Sequence, residues 1–232
     1  MWNLPPPEGF QGLREDIALE VYVRHLPHWR QAGATYFVTF RLNDSLPKVK
    51  LDELAYLRSE WERRHPPPWT KTTLEELDRQ IVERVERWLD QGMGSCVLKN
   101  QYCGAMLRDA MLHFDGTRYE LGAFVVMPNH GHALVRPLMC ERYPLETIVG
   151  SWKQFSSKQI NEHKGRKGDL WQEETYDRIV RNEEHLYRCL QYIGRNPERA
   201  GLARESCYLW VRPDWEAAGW KYEDDDGQRD LA

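Results

Sequence analysis

The chain lacks three features that would each narrow its class at once. It does not open with a basic segment followed by an apolar core, and no apolar run approaches the roughly 18 residues a spanning helix needs. Export and membrane insertion are therefore not expected, and a cytoplasmic protein without membrane contact is. Cysteine is sparse: Cys96, Cys103, Cys140, Cys189 and Cys207 are odd in number and form no Cys-x-x-Cys pair. Reduced thiols, rather than a disulfide framework or a thiolate zinc site, follow from that pattern. A basic surplus is missing too. The formal net charge is -4, whereas phosphate binding usually shows as an excess of cations.

The distribution of charge qualifies the last absence. Residues 205–232 carry eight acidic and three basic side chains, a net of -5, which leaves the body of the chain near neutral. Its 232 residues suit one sizeable core, so we read 1–204 as a single domain and 205–232 as an acidic C-terminal tail. Lys153, Lys158, Arg178, Arg181 and Arg195 are candidates for a local basic face toward DNA. A solvated mixed-charge surface explains them as readily, because Glu173, Glu174, Glu183 and Glu184 are interleaved.

What is present is strong periodic patterning. "ATYFVTFRL" at 34–42 is dense in β-branched and aromatic residues and reads as a strand. Residues 49–64 and 73–90 repeat apolar positions at helical spacing, and "RHPPPWT" separates them because proline lacks the amide and restrains its predecessor. A helix at about 99–113 precedes strands at 118–127 and 132–137, with Pro128-Asn129 as a tight connection. An apolar stripe over 144–161 gives a further helix; "YDRIVR" at 176–181 a strand; and 183–195 a last helix, ended by Asn196-Pro197. The order β-α-β-β-α-β plus a final helix indicates an α+β fold, a ferredoxin-like split βαβ antiparallel sheet with helices on one face. Residues 48–92 are then a helical elaboration.

His130 and His132 sit two apart where one apolar run stops and another begins. In an extended strand, side chains repeat every second residue, so both imidazoles share a face and could share one ion. Two histidines bind metal weakly, and a third donor is needed. On the last helix Tyr192 and Asn196 are four apart and lie on one side. If that helix crosses the sheet, His130, His132 and Asn196 could hold a hard divalent ion, Mg²⁺ or Mn²⁺ as well as Zn²⁺, with Tyr192 close by. A tyrosine nucleophile conserves the energy of a phosphodiester as a phosphotyrosine ester, so strands can be cut and rejoined without ATP. Tyr176 is the competing nucleophile, but its i+4 neighbour is the apolar Val180. For either tyrosine, packing on a core is the plainer explanation.

Three segments together carry a family likeness. "VVMPNHGHALV", "LWQEETYDRIVRNEEHL" and "YIGRNPERAGL" closely resemble, in order and spacing, the REP-associated tyrosine transposases, single-tyrosine members of the HUH endonuclease superfamily. The likeness runs from about Ala34 to Leu202. It implies a metal-dependent endonuclease and strand transferase acting on single-stranded or hairpin DNA, with short palindromic repeats as substrate. Tyr192 would be the nucleophile, leaving a 5′-phosphotyrosine link and a free 3′-hydroxyl. His130 and His132 would be metal ligands, with Asn196 where relatives place a polar third ligand and Mg²⁺ or Mn²⁺ as the ion. A monomer is the expected state, a dimer the alternative. One departure is clear: the residue between the histidines is bulky and hydrophobic in that superfamily, and here it is Gly131, which removes an anchor and loosens the backbone. Two rivals stand beside this expectation: a non-catalytic DNA-hairpin-binding module derived from such an enzyme, and a metal-dependent hydrolase that needs no tyrosine.

Overall fold

The computed structural model describes residues 4–23 and 27–223. In chain order it contains β1 (Glu20–Val23), β2 (Pro27–Arg30), β3 (Tyr36–Arg41), α1 (Lys48–Arg64), α2 (Lys71–Leu89), α3 (Gln101–Leu112), β4 (Tyr119–Val126), β5 (His130–Pro137), α4 (Leu145–Lys164), β6 (Tyr176–Ile179), α5 (Glu183–Arg199), β7 (Tyr208–Val211) and α6 (Pro213–Ala217). β1 and β2 form a hairpin, and the other five strands form one sheet in the order β6-β3-β5-β4-β7. Every pairing is antiparallel. The four strands expected from the sequence take the order fourth, first, third, second, the arrangement of a split βαβ sheet.

The α+β class is as expected, but helices cover both faces of the sheet rather than one. Strand alternation explains this. Tyr36, Val38 and Phe40 of β3 point to a core that also contains Met111 of α3 and Trp152 of α4. Phe37 of β3 and Leu134 of β5 point the other way, to Leu186, Leu190 and Ile193 of α5. Because central strands are apolar on both sides, each face needs its own cover.

Two elements extend beyond their expected bounds. α5 does not stop at Asn196 but runs through Pro197 to Arg199; a proline this close to a helix end removes a single ladder bond. Asn182 caps its start by accepting from the His185 amide at 2.9 Å. The acidic tail begins with structure: β7 pairs with β4, and Trp215 and Trp220 are buried. Their indole N–H groups donate to the carbonyls of Glu8 and Pro5, tying the two ends of the chain together. The Trp215 ring fits only because Gly122 has no side chain, since a Cβ there would stand 2.2 Å from it. Residues 224–232 of the expected tail lie outside the described residues.

Gly131 has a specific steric reason. It faces Phe40 in the β3–β5 register, and a Cβ added to it would meet the Phe40 ring at 2.8 Å. That ring packs on Trp171 at 5.4 Å and on Trp152 at 6.0 Å. The anchor a bulky residue would provide is thus supplied from the neighbouring strand. Gly131→Val should destabilise the fold by about 1–3 kcal/mol in urea unfolding through overpacking. Combined with Phe40→Leu, the loss should be less than additive; full additivity would remove the steric explanation.

The β1–β2 hairpin is held to β6 by charge. His28 is buried, bonds Asp177 through Nδ1 at 2.7 Å and approaches Glu174 at 3.4 Å. Arg30 pairs with Asp177 and with Glu146. Burial opposes charge on His28, but Asp177 and Glu174 outweigh it and raise its pKa from 6.5 to about 9. A raised pKa gives a stabilisation that is complete below pH 6.5 and lost by about pH 9. The stability difference between the native chain and His28→Gln should therefore shrink across that interval, as read by urea unfolding at several pH values.

Candidate functional site

β5 places Gly131, Ala133 and Val135 toward α3 and α4, and His130, His132 and Leu134 toward α5. The two imidazoles meet edge to face with ring centres 4.8 Å apart. Across from them, α5 presents Tyr192, Asn196 and Arg199 at i, i+4 and i+7. The Tyr192 ring stands edge-on to His132 at 5.2 Å, and Asn196 Oδ1 lies 3.2 Å from His130 Nε2. The structure thus brings together His130, His132, Asn196 and Tyr192. His130, His132 and Asn196 are at most 1% exposed.

The His130 tautomer follows from its neighbour. Asn129 Nδ2 donates to the carbonyls of Leu89 and Met93 at 3.2 and 3.1 Å, which turns its Oδ1 to His130 Nδ1 at 2.7 Å. An amide oxygen only accepts, so Nδ1 carries the proton and Nε2 presents a lone pair. With its oxygen forward, Asn196 opposes a second lone pair to it, an arrangement a cation would relieve; with the amide turned, Nδ2 donates instead. His132 Nδ1 is engaged by Thr39 Oγ1 at 2.8 Å.

Among these side chains His132 Nε2, the Tyr192 hydroxyl and Asn196 Nδ2 are buried without hydrogen-bond partners, as is Asp90 Oδ1. Each such atom costs about 1–3 kcal/mol, and their concentration marks a place built for something other than stability. Burial lowers the pKa of His130 to about 4. It lowers His132 strongly as well, with the charges of His130 and Arg199 acting in the same direction. Both rings are therefore neutral at pH 7, the form that ligates metal, and each has its Nδ1 held by a neighbour. The donors a divalent ion could use here are few. They are two imidazoles and an amide, and no group of three or more His, Cys, Asp or Glu side chains among the described residues could hold a metal.

Tyr192 is held firmly protonated. Burial raises its pKa above the ordinary tyrosine value, and the Glu86 carboxylate adds to this while Arg199 works against it. Glu86 lies beside the hydroxyl but does not form a well-directed hydrogen bond with it. Arg199 sits over the Tyr192 ring at 4.6 Å and pairs with Asp90 at 3.2 Å. Glu86 and Asp90 belong to the C-terminal end of the second elaboration helix and the residue capping it. The helical elaboration expected over 48–92 thus closes over the histidine face.

The candidate DNA contacts are dispersed. Arg178 is on the histidine face, opposite Phe37 in register and 4.9 Å above its ring. Arg181 is exposed and lines, with Arg79 and Arg178, a groove of about 620 Å³ between α2 and β6. Arg195 is exposed on α5 and pairs with Glu223. Lys153 and Lys158 lie on α4, across the sheet from Tyr192. Lys158 is exposed, whereas Lys153 donates to the carbonyls of Gln172 and Glu173 at 3.0 Å and to Thr175 Oγ1 at 2.6 Å. Tyr176 is on the histidine face as the register partner of Thr39.

Thr39, Asn129, Glu86 and Asp90 are parts of this site that the sequence did not single out. Asn129 had a signal, since it directly precedes His130; Glu86 and Asp90 had none, because their role depends on where α2 docks.

No protein-family model matches the chain, and no curated protein matches it. Among solved structures, the REP-associated tyrosine transposase bound to a REP hairpin aligns with a TM-score of 0.35 and 17% sequence identity, over 79% of this chain and 75% of that one. This is a distant structural likeness.

Asn129→Ala leaves the His130 Nδ1–H and the Leu89 and Met93 carbonyls without their partner. Urea unfolding should show a loss of about 1–3 kcal/mol; a loss under about 0.5 kcal/mol, the range of ordinary surface changes, would mean that this bridge does not hold the site.

Proposed function

We propose that the protein is a metal-assisted endonuclease and strand transferase for single-stranded or hairpin DNA, with Tyr192 as nucleophile. The observation that carries this is that α5 sets the Tyr192 ring against His132 and Asn196 against His130 on one face of the sheet, with the two imidazoles neutral. The resemblance of the motif segments to REP-associated tyrosine transposases agrees with it and suggests repetitive palindromic DNA as substrate.

His130, His132 and Asn196 would hold Mg²⁺ or Mn²⁺, and that ion supplies charge neutralisation at the phosphate. The phenol oxygen of Tyr192 forms a bond to phosphorus while the bond from phosphorus to the 3′ oxygen breaks, giving a 5′-phosphotyrosine and a free 3′-hydroxyl. The phenol proton passes to Glu86, the carboxylate beside it, whose own pKa burial raises, and the departing 3′ oxygen takes a proton from water. Arg199, stacked over the ring, favours the anionic phenolate. Attack by a 3′-hydroxyl on the same phosphorus reverses the step and joins strands. Arg178, Arg181 and, on release from Glu223, Arg195 are cations on the Tyr192 side of the sheet that would meet backbone phosphates, while Lys153 and Lys158 would need DNA to wrap around it. A monomer holds every group named here, and we expect activity without a second subunit.

Incubation with Mn²⁺ or Mg²⁺ and labelled hairpin DNA should give a covalent adduct that is lost in Tyr192→Phe and on chelation, and kept in Tyr176→Phe. An adduct that persists in Tyr192→Phe refutes the assignment. Hairpin binding without any adduct, insensitive to chelation, would instead identify the non-catalytic binding module.

A further inference from the structure

Arg41 is the last residue of β3. Alternation along the strand puts it on the histidine face with Phe37 and Thr39, and in the register with β5 it is the partner of His130. The turn that follows fixes its Nη1, which donates to Ser45 Oγ at 3.2 Å and to the Leu42 carbonyl at 3.4 Å. Ser45 is itself buried and donates to the same carbonyl at 2.7 Å, so the guanidinium is held in one pose. Among the described residues nothing engages its Nε and Nη2 donors. These form the edge of the fork that matches two oxygens of one oxyanion.

Arginines of similar burial elsewhere close onto a carboxylate: Arg30 on Asp177, Arg136 on Glu120 and Arg212 on Asp115. Arg41 is partly buried and does not. Glu174 acts on it by charge alone and is itself turned to His28 at 3.4 Å. Burial outweighs that charge and lowers the Arg41 pKa from 12.5 to about 10. A cation drawn out of water without a counter-charge is costly, and an anion arriving on its open edge would remove that cost.

The surroundings narrow the source of the anion. Arg41 opens onto a cavity of about 450 Å³ beneath α1 and α2, which Arg58, Glu86 and Glu174 also line. Arg58 is taken by Glu62 at 2.9 Å. The two carboxylates repel a free anion, so one stays on Arg41 only when it is anchored elsewhere as well. A phosphodiester within a polynucleotide meets that condition. Tyr192 meets His132, two strand positions from His130 and hence about 7 Å along β5, a distance on the scale of one nucleotide step.

We propose that the open edge of Arg41 binds a backbone phosphate of the DNA strand, the one adjoining the phosphate attacked by Tyr192, and thereby positions the strand along β3. This rests on the function proposed above and adds a contact to its site.

The test uses the full chain with Mn²⁺ and fluorescent stem-loop DNAs in which one phosphate at a time along the single-stranded flank is replaced by an uncharged methylphosphonate. Affinity is read by anisotropy across a salt series. Arg41→Ala should weaken binding about tenfold, the scale of one hydrogen bond to a charged group, and should reduce the salt slope by about 0.7 to 1. One methylphosphonate, beside the bond at which the adduct forms, should weaken the native complex by a similar factor and have no further effect on Arg41→Ala. The other positions should keep their penalties in both proteins. Arg41→Lys retains the charge without the fork and should restore the salt slope with only part of the affinity. Equal penalties at every position in the native chain and Arg41→Ala overturn the proposal, because a merely structural arginine weakens all the complexes together. Coupling at a position away from the cleaved bond overturns it too. So does a rise in thermal midpoint with millimolar inorganic phosphate that Arg41→Ala lacks, which would mark a free-anion site instead. The expected coupling without any adduct supports Arg41 and sinks the nuclease; no hairpin binding by the native chain overturns both.

Discussion

The structure depends on the alternation of β5 between two cores. Each residue of this strand must serve one face or the other, and the sequence His-Gly-His-Ala-Leu-Val assigns imidazole, imidazole and leucine to the α5 side. Shifting the register by one residue would exchange every side chain between faces and bury the histidines against α4 instead. Register is held by the fit of Phe40 over Gly131, so the least conspicuous residue of the motif fixes the direction of its two most conspicuous ones. Burial then removes charge from both rings, and the same burial keeps Tyr192 protonated. One geometric constraint thus sets the protonation states on which the proposed chemistry would rest.

The local parts of this were legible in the sequence. Period-two alternation around His130 and His132 gave their common face, and i+4 spacing gave the common side of Tyr192 and Asn196, because both patterns depend only on backbone geometry. The strand order followed from the succession of elements. What depended on distant contacts was not legible. The Asn129 amide is oriented by carbonyls 40 and 36 residues earlier, and Arg199 is paired with an aspartate 109 residues away. β7 was concealed by acidic neighbours: "YLWV" is a short run in a segment whose net charge reads as a solvated tail, yet it completes the sheet edge beside β4. Pro197 misdirected the end of α5 because its cost depends on how many turns follow, and here almost none do.

Gly131 shows how a departure from a pattern can be read two ways. Taken alone, glycine in a central strand means a lost anchor and a looser backbone. Beside Phe40, Trp152 and Trp171 it means the opposite, since the absent side chain makes room for an aromatic ring that locks the strand. The packing is exchanged between strands rather than given up, and the histidine face is unaffected. A motif of loss of function is thereby removed from the reasons to favour binding without chemistry.

Burial also defines how substrate must arrive. With both histidines and Asn196 at most 1% exposed, the proposed reaction would require part of the cover to move before a phosphodiester could meet Tyr192. α3, α4 and α5 share the two main cores with the sheet and would take those cores with them. α2 differs. Its apolar residues belong to small clusters of their own, Leu46 with Trp88 and Leu89, and Trp61 with Leu77 and Ile81. Cavities lie on its sheet side, and both are lined by Val82, Glu86 and Tyr176. Its links to the site are polar: the Leu89 carbonyl to Asn129 and Asp90 to Arg199. Polar links of this kind exchange readily for water or phosphate, whereas a packed core does not. A phosphate reaching Arg199 would compete directly with the Asp90 carboxylate, so on the proposed function arrival of a strand and displacement of the α2 end would be one ion exchange.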